Sequence, residues 1–168
     1  MNLLPFREKI NTECRIPIPI LKIKAIKIDA SERNLKQKVG CKNLKSCDYL
    51  KRRRNNLYFI EISDFNAQFE ALSNKTTSSD SIKYINLEIR LKLTDTLLIY
   101  QKLLEKFEFK EKNCSLHKKA LLTICKDNIS DSVFLDRIAR NLTRHYCPEH
   151  LSAIQLIPYT KLETILRR

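Results

Sequence analysis

The sequence predicts an α/β domain in which helices cover a central β-sheet, and three observations carry that reading. Residues 39–65 hold two apolar runs, around Cys47–Leu50 and Leu57–Ile62, separated by the polar tip Lys51-Arg52-Arg53-Arg54-Asn55-Asn56, which is the pattern of an antiparallel hairpin. The later half alternates helical and extended periodicity as α-β-α-β-α, which implies a sheet with helices packed on it. The 168 residues, 43 % hydrophobic and 30 % charged, fit a single domain over residues 1–168 with a core that needs no staples.

From the N-terminus, residues 3–15 are expected to form a short helix with Pro5 in its first turn. Ile16-Pro17-Ile18-Pro19-Ile20 is extended, because each proline forces its predecessor out of helical geometry. Residues 21–28 nearly alternate apolar and lysine side chains and read as a strand with one basic, solvated face. Residues 30–38 are a polar turn of helix or a loop, the hairpin follows, and residues 73–81 are a polar loop. Residues 82–109 open ambiguously: Ile85, Leu87, Ile89, Leu91 and Leu93 alternate with polar residues at strand period. Beyond them Leu93, Leu97, Tyr100, Leu104 and Phe107 share a helical face. A long helix over most of 83–107 is favoured, because Leu, Glu, Arg and Lys are good helix formers; a strand at 84–92 is the alternative. Then come a buried strand at Lys119–Cys125, an amphipathic helix at Ser132–Arg144, a strand at Ala153–Ile157 stopped by Pro158, and a closing helix at Tyr159–Leu166.

Composition narrows the function. The chain has one glycine, Gly40, whereas phosphate-cradling P-loops and dinucleotide fingerprints need two or three at fixed spacing. That argues against nucleotide-dependent kinases, ATPases and Rossmann dehydrogenases. The net charge is +13, and residues 1–60 alone contribute +10 from 15 basic and 5 acidic residues. Such an asymmetric field favours a polyanion, nucleic acid before membrane. The start MNLLPFREKI lacks the apolar core of a secretory signal, so a cytoplasmic location with reduced thiols is expected for the six cysteines. Cys114 with His117, and His145 with Cys147 and His150, have zinc-like spacing, but paired C-x2-C knuckles are missing and structural zinc is the weaker reading. Cys147 between two histidines is the single Cys–His candidate, and Pro148 in a helix-end loop accounts for it equally well.

Two carboxylates interrupt apolar strands: Asp48 in Ser46-Cys47-Asp48-Tyr49-Leu50, and Glu61 in Phe59-Ile60-Glu61-Ile62. A charge there is costly unless paired, solvated or bound to a cation. On neighbouring antiparallel strands the two acids can converge into a hard oxygen site for Mg²⁺ or Mn²⁺, which would polarise a phosphodiester and activate water. The neighbouring Lys51, Arg52, Arg53 and Arg54 would supply nucleic-acid phosphate contacts.

Asp48, twelve intervening residues across a hairpin, then Glu61-Ile62-Ser63 after an apolar run resembles the core of the PD-(D/E)XK, or restriction-endonuclease-like, nuclease superfamily. The resemblance covers about residues 20–125, with about 126–168 as a C-terminal α-β-α extension. It implies a central mixed β-sheet flanked by helices, with Asp48 and Glu61 as metal ligands. Ser63 occupies the place of the family's lysine, which assists the attacking water; Lys92 or Lys83 on the long helix could supply that charge instead. Cys47 stands where the family often has proline. The acid usual on the family's first helix would be Glu8, Glu13 or Glu32.

The expected function is therefore a Mg²⁺-dependent endonuclease with catalytic residues Asp48, Glu61 and Ser63, acting on nucleic acid, DNA ahead of RNA. The alternatives are a catalytically silent relative serving as a nucleic-acid-binding accessory protein, and a module whose basic face binds an acidic protein. Oligomeric state, a homodimer included, is left open by the sequence.

Overall fold

The computed structural model describes residues 3–11, 20–30, 34–107, 117–125, 132–145 and 151–167. Six strands form one sheet in the order β1-β2-β3-β4-β5-β6. The strands are β1 Arg7–Lys9, β2 Lys24–Lys27, β3 Tyr49–Arg53, β4 Asn56–Ser63, β5 His117–Ile124 and β6 Ala153–Pro158. β1 to β4 pair antiparallel, whereas β4–β5 and β5–β6 pair parallel, so the sheet is mixed. The helices are α1 Leu35–Lys38, α2 Phe65–Ser73, α3 Ser78–Phe107, α4 Ser132–His145 and α5 Tyr159–Arg167. The α/β architecture is thus the expected one.

Sheet alternation sorts the core into two layers. Leu50, Leu57, Phe59, Ala120 and Leu122 face one side, under α1, α3 and α4 through Leu35, Ile85, Ile89, Leu93, Ile138 and Leu142. Tyr49, Tyr58, Ile60, Ile62 and Leu121 face the other, where Ile10, Leu21 and the α5 residues Leu162 and Leu166 cover them. The crossovers from β4 to β5 and from β5 to β6 step the same way along the sheet, and one handedness puts both on one face.

The long helix resolves the ambiguity of residues 82–93. Parallel pairing of β4 with β5 requires a crossover, and helix is the usual solution. As helix, the segment buries Ile85, Ile89 and Leu93 at i, i+4 and i+8, each worth about 2 kcal/mol. Leu87 and Leu91 are left on the exposed side. The helix also starts earlier than expected. Thr77 Oγ1 accepts from the Asp80 backbone N–H at 3.2 Å and donates to Asp80 Oδ2 at 2.7 Å, so the polar stretch is largely a cap rather than a loop. Helix α2, capped by Asp64 on the Ala67 N–H, has no counterpart in the sequence reading.

Three further expectations are corrected. Over residues 3–11, part of the helix expected over 3–15, the chain makes one 3-10 turn, Leu4–Phe6, and then enters β1, while 12–15 lie outside the described residues. A helix that short gains little in water, while Arg7–Lys9 complete hydrogen bonds to β2 and seat Ile10 in the core. At the hairpin, Lys51, Arg52 and Arg53 belong to β3, and only Arg54-Asn55 form the turn, with Arg54 at a φ of 51°. Residues 12–19, with the proline run in them, lie outside the described residues. Cys41 and Cys47 are buried free thiols, whereas Cys125, buried after β5, is disulfide-bonded and departs from the expectation of uniformly reduced thiols. Among the described residues no helix is long and apolar enough to cross a membrane.

Candidate functional site

The hairpin register sets the two suspect carboxylates against each other. Tyr49 pairs with Ile60 and Leu50 with Phe59, so the same register carried one residue back places Asp48 opposite Glu61. Alternation along β4 assigns Glu61 to the face of Leu57 and Phe59, the one α3 covers. Asp48 accepts a hydrogen bond at its Oδ2 from the Ile62 N–H at 2.7 Å, which ties it to β4.

Glu61 is 3 % exposed. Its Oε1 accepts from Lys92 Nζ at 2.6 Å and from Ser63 Oγ at 2.8 Å. Its Oε2 is buried with no hydrogen-bond partner. Burial pushes the Glu61 carboxyl above the usual glutamate range despite the pull of Lys92 and Ser63, and the charge of Glu88 pushes the same way. Burial works in the opposite sense on Lys92, but Glu61 and then Asp48 outweigh it, and Lys92 is held above the ordinary lysine value. Lys92 is therefore a fixed cation within the field of both carboxylates.

Helix α3 organises this cluster. Thr96, one turn beyond Lys92, accepts from the Cys47 N–H at 2.8 Å, and Asp95 Oδ2 accepts from the Lys45 N–H at 2.9 Å. One helix therefore delivers the lysine to Glu61 and clamps the segment that leads into Asp48. Cys47 is fully buried in this clamp, and its thiol is pushed well up by burial and then by the Glu61 charge, so it stays protonated. Beside Glu61 opens a small pocket lined by Ser63, Gln68, Glu88 and Lys92, with Phe65, Ile85 and Ile89 as its apolar wall.

Of the expected site residues, the structure brings together Asp48, Glu61 and Ser63, and of the two lysine candidates on the long helix it places Lys92 among them. Lys83 is exposed and pairs with Asp80, away from the cluster. The signal for Lys92 lies in its spacing, since it falls on the buried side set by Ile85, Ile89 and Thr96. Glu88 and Gln68 were not legible, because half-exposed polar residues on amphipathic helices look like ordinary solvated ones. The basic residues are not beside the carboxylates. Arg53 lies five residues along β3 from Asp48, roughly 17 Å at strand rise, and β3 points it away. There Lys51 donates to the Lys24 carbonyl at 2.6 Å and Arg53 to the Arg167 carbonyl at 2.7 Å, while Arg52 and Arg54 are exposed. Glu8 stands exposed on β1, two strands from β3, and Glu13 and Glu32 lie outside the described residues. Cys114, Cys147 and His150 also lie outside them; His117 opens β5 and is exposed.

Carboxylate oxygens are hard donors and a buried one without a partner is costly, which describes Glu61 Oε2, while Asp48 accepts from the Ile62 N–H. Among the described residues no group of three or more His, Cys, Asp or Glu side chains is placed to hold a metal ion. Comparisons with protein-family models, curated proteins and solved structures gave no match to this chain.

Proposed function

We propose that the chain is a metal-dependent nucleic-acid phosphodiesterase of the PD-(D/E)XK kind, with Asp48 and Glu61 as ligands of Mg²⁺ or Mn²⁺ and Lys92 in the lysine role that Ser63 cannot fill. The observation that carries this reading is the 2.6 Å contact of Lys92 with Glu61, made in the field of a second carboxylate set opposite by the hairpin register. Asp48 and Glu61 would hold the divalent ion, which would supply Lewis-acid polarisation of a phosphodiester and activation of water. The protein's own groups do the rest. Lys92 stays protonated and offers N–H donors to charge developing on the phosphate oxygens. Ser63 holds the Glu61 carboxylate in one orientation, and the Ile62 N–H holds that of Asp48.

The test is cleavage of plasmid and single-stranded DNA, and of RNA, with Mg²⁺ or Mn²⁺. Cleavage is expected in wild type, absent in Glu61→Ala, and reduced about 100-fold or more in Lys92→Met, each with a native circular dichroism spectrum. No wild-type cleavage with any divalent ion, or unchanged cleavage in Glu61→Ala, would overturn the reading. One observation favours a second reading, a nucleic-acid-binding accessory protein: the exposed arginines lie at the far end of the hairpin, so polyanion binding does not require the carboxylate site. That reading predicts salt-sensitive binding with no cleavage.

A further inference from the structure

The pocket beside Glu61 contains groups that the carboxylate–lysine cluster does not use. Glu61 is 3 % exposed, and one of its oxygens, Oε2, has no hydrogen-bond partner although it is buried. Glu88 lines the same pocket from α3, one turn before Lys92, and Gln68 lines it from α2. The side chain of Glu88 is 37 % exposed and forms a loose, half-exposed ion pair with Lys45 Nζ at 3.6 Å, longer than a hydrogen bond. Two carboxylates thus share one pocket.

We infer that Glu61 Oε2, Glu88 and the Gln68 amide oxygen form a binding site for a hard divalent cation, with Glu88 a metal ligand that the sequence pattern does not mark. Lys92 pairs with Glu61 through Oε1 and Lys45 with Glu88 at 3.6 Å, so what a divalent cation supplies here is a partner for the unsatisfied Oε2, shared with the Glu88 and Gln68 oxygens that line the same pocket. The lining groups able to ligate a cation beside the paired Lys92 are the oxygens of Glu61, Ser63, Gln68 and Glu88, with no thiol among them, so the site selects Mg²⁺ or Mn²⁺ over thiophilic ions. Lys92 remains on Oε1 and leaves Oε2 to the ion. The site rests on the proposed function for the role of Glu61 as a ligand, and extends it with a ligand from α3.

The experiment is calorimetric titration of the full chain with MnCl₂, with Mg²⁺ as competitor and no nucleic acid present. Saturable binding is expected in wild type, lost in Glu61→Gln and weakened about tenfold or more in Glu88→Gln. Paramagnetic broadening of amide signals should centre on Ser63, Gln68 and Glu88 and spare Arg52–Arg54. Glu88→Gln changes a half-exposed helix position, so its fold is retained, and Glu88→Lys repeats the test with the charge reversed. Absence of wild-type binding at millimolar Mn²⁺ overturns the site. Wild-type affinity in both Glu88 variants overturns the role of Glu88 even if Glu61→Gln abolishes binding. Binding is read separately from cleavage: Mn²⁺ held as described without any cleavage keeps this site and overturns the nuclease reading, while cleavage indifferent to Glu88 does the reverse.

Discussion

Glu61 lies in an apolar run, Leu57-Tyr58-Phe59-Ile60-Glu61-Ile62, and its cost to the fold depends on pH. Its pKa in the folded chain is raised, chiefly by burial, so the neutral carboxyl is the form the fold prefers. The unfolded chain ionises this group at the ordinary glutamate value. Stability from Glu61 is therefore fully present below that value and is lost as pH rises through the higher folded one. Glu61→Gln removes this titration while keeping shape. The difference in Tm, variant minus wild type, should move in the variant's favour from about pH 4 to about pH 7. Thermal scans across that range check it, and a flat difference or an opposite slope would contradict the burial argument. Lys92, whose folded pKa is raised by Glu61 and Asp48, adds stability that persists through this range and is lost only above the ordinary lysine value, so it does not disturb the comparison. Removing Lys92 has the opposite character, since it strands a buried carboxylate. Lys92→Met should cost about 2–3 kcal/mol in urea unfolding at neutral pH, below the range for fully buried pairs because Lys92 keeps 23 % side-chain exposure.

At the scale of elements, α3 holds the site together. Through Thr96 it fixes the Cys47 N–H, and through Lys92 it fixes Glu61, on the same buried side of one helix. Thr96→Val keeps the shape but leaves a buried N–H unpaired, at a cost of about 1–3 kcal/mol. Faster hydrogen exchange should appear at Cys47 and Asp48 before it appears in β5, and uniform exchange would show that the clamp is not local. This element also explains what the sequence made legible. The hairpin was readable because both its runs are apolar and β-rich, and the acids were readable because they break those runs. The strand period at Ile85–Leu93 competed with the helix that propensity favoured, and the crossover demanded by parallel β4 and β5 agrees with the helix. The N-terminal helix failed because an edge position beside β2 is visible only once β2 is placed. Lys92 could be anticipated from its place on a buried face. Glu88 and Gln68 could not, because what makes them distinctive is a pocket formed between two helices and a strand.

For the whole molecule, the densest basic run, Lys51–Arg54, and the carboxylate site lie toward opposite ends of β3. The register of β1, β2 and β3 brings Lys9 and Lys24 to the same end of the sheet as Arg52–Arg54, and β5 begins there with His117 and Lys118 beside Asn56 and Leu57. A polyanion gathered by that end is held by groups that do not depend on Asp48 or Glu61. Roughly 17 Å of strand separates the two, about five base-pair steps of a duplex, so a nucleic acid spanning both is engaged over several phosphates. Replacing Arg52, Arg53 and Arg54 together by Ala should weaken DNA binding and make the slope of log K against log salt shallower by roughly 2–3, an increment of about 0.9 for each phosphate left unneutralised. Mn²⁺ affinity should stay at the wild-type value, because the removed charges lie about two Debye lengths from the carboxylates at physiological ionic strength. An unchanged salt slope would place the polyanion-binding surface elsewhere on the chain. A parallel loss of Mn²⁺ binding would mean that the two ends of the sheet are not independent. If the triple variant binds weakly but still cleaves at saturating DNA, the hairpin end serves to hold substrate and the α3 end to act on it.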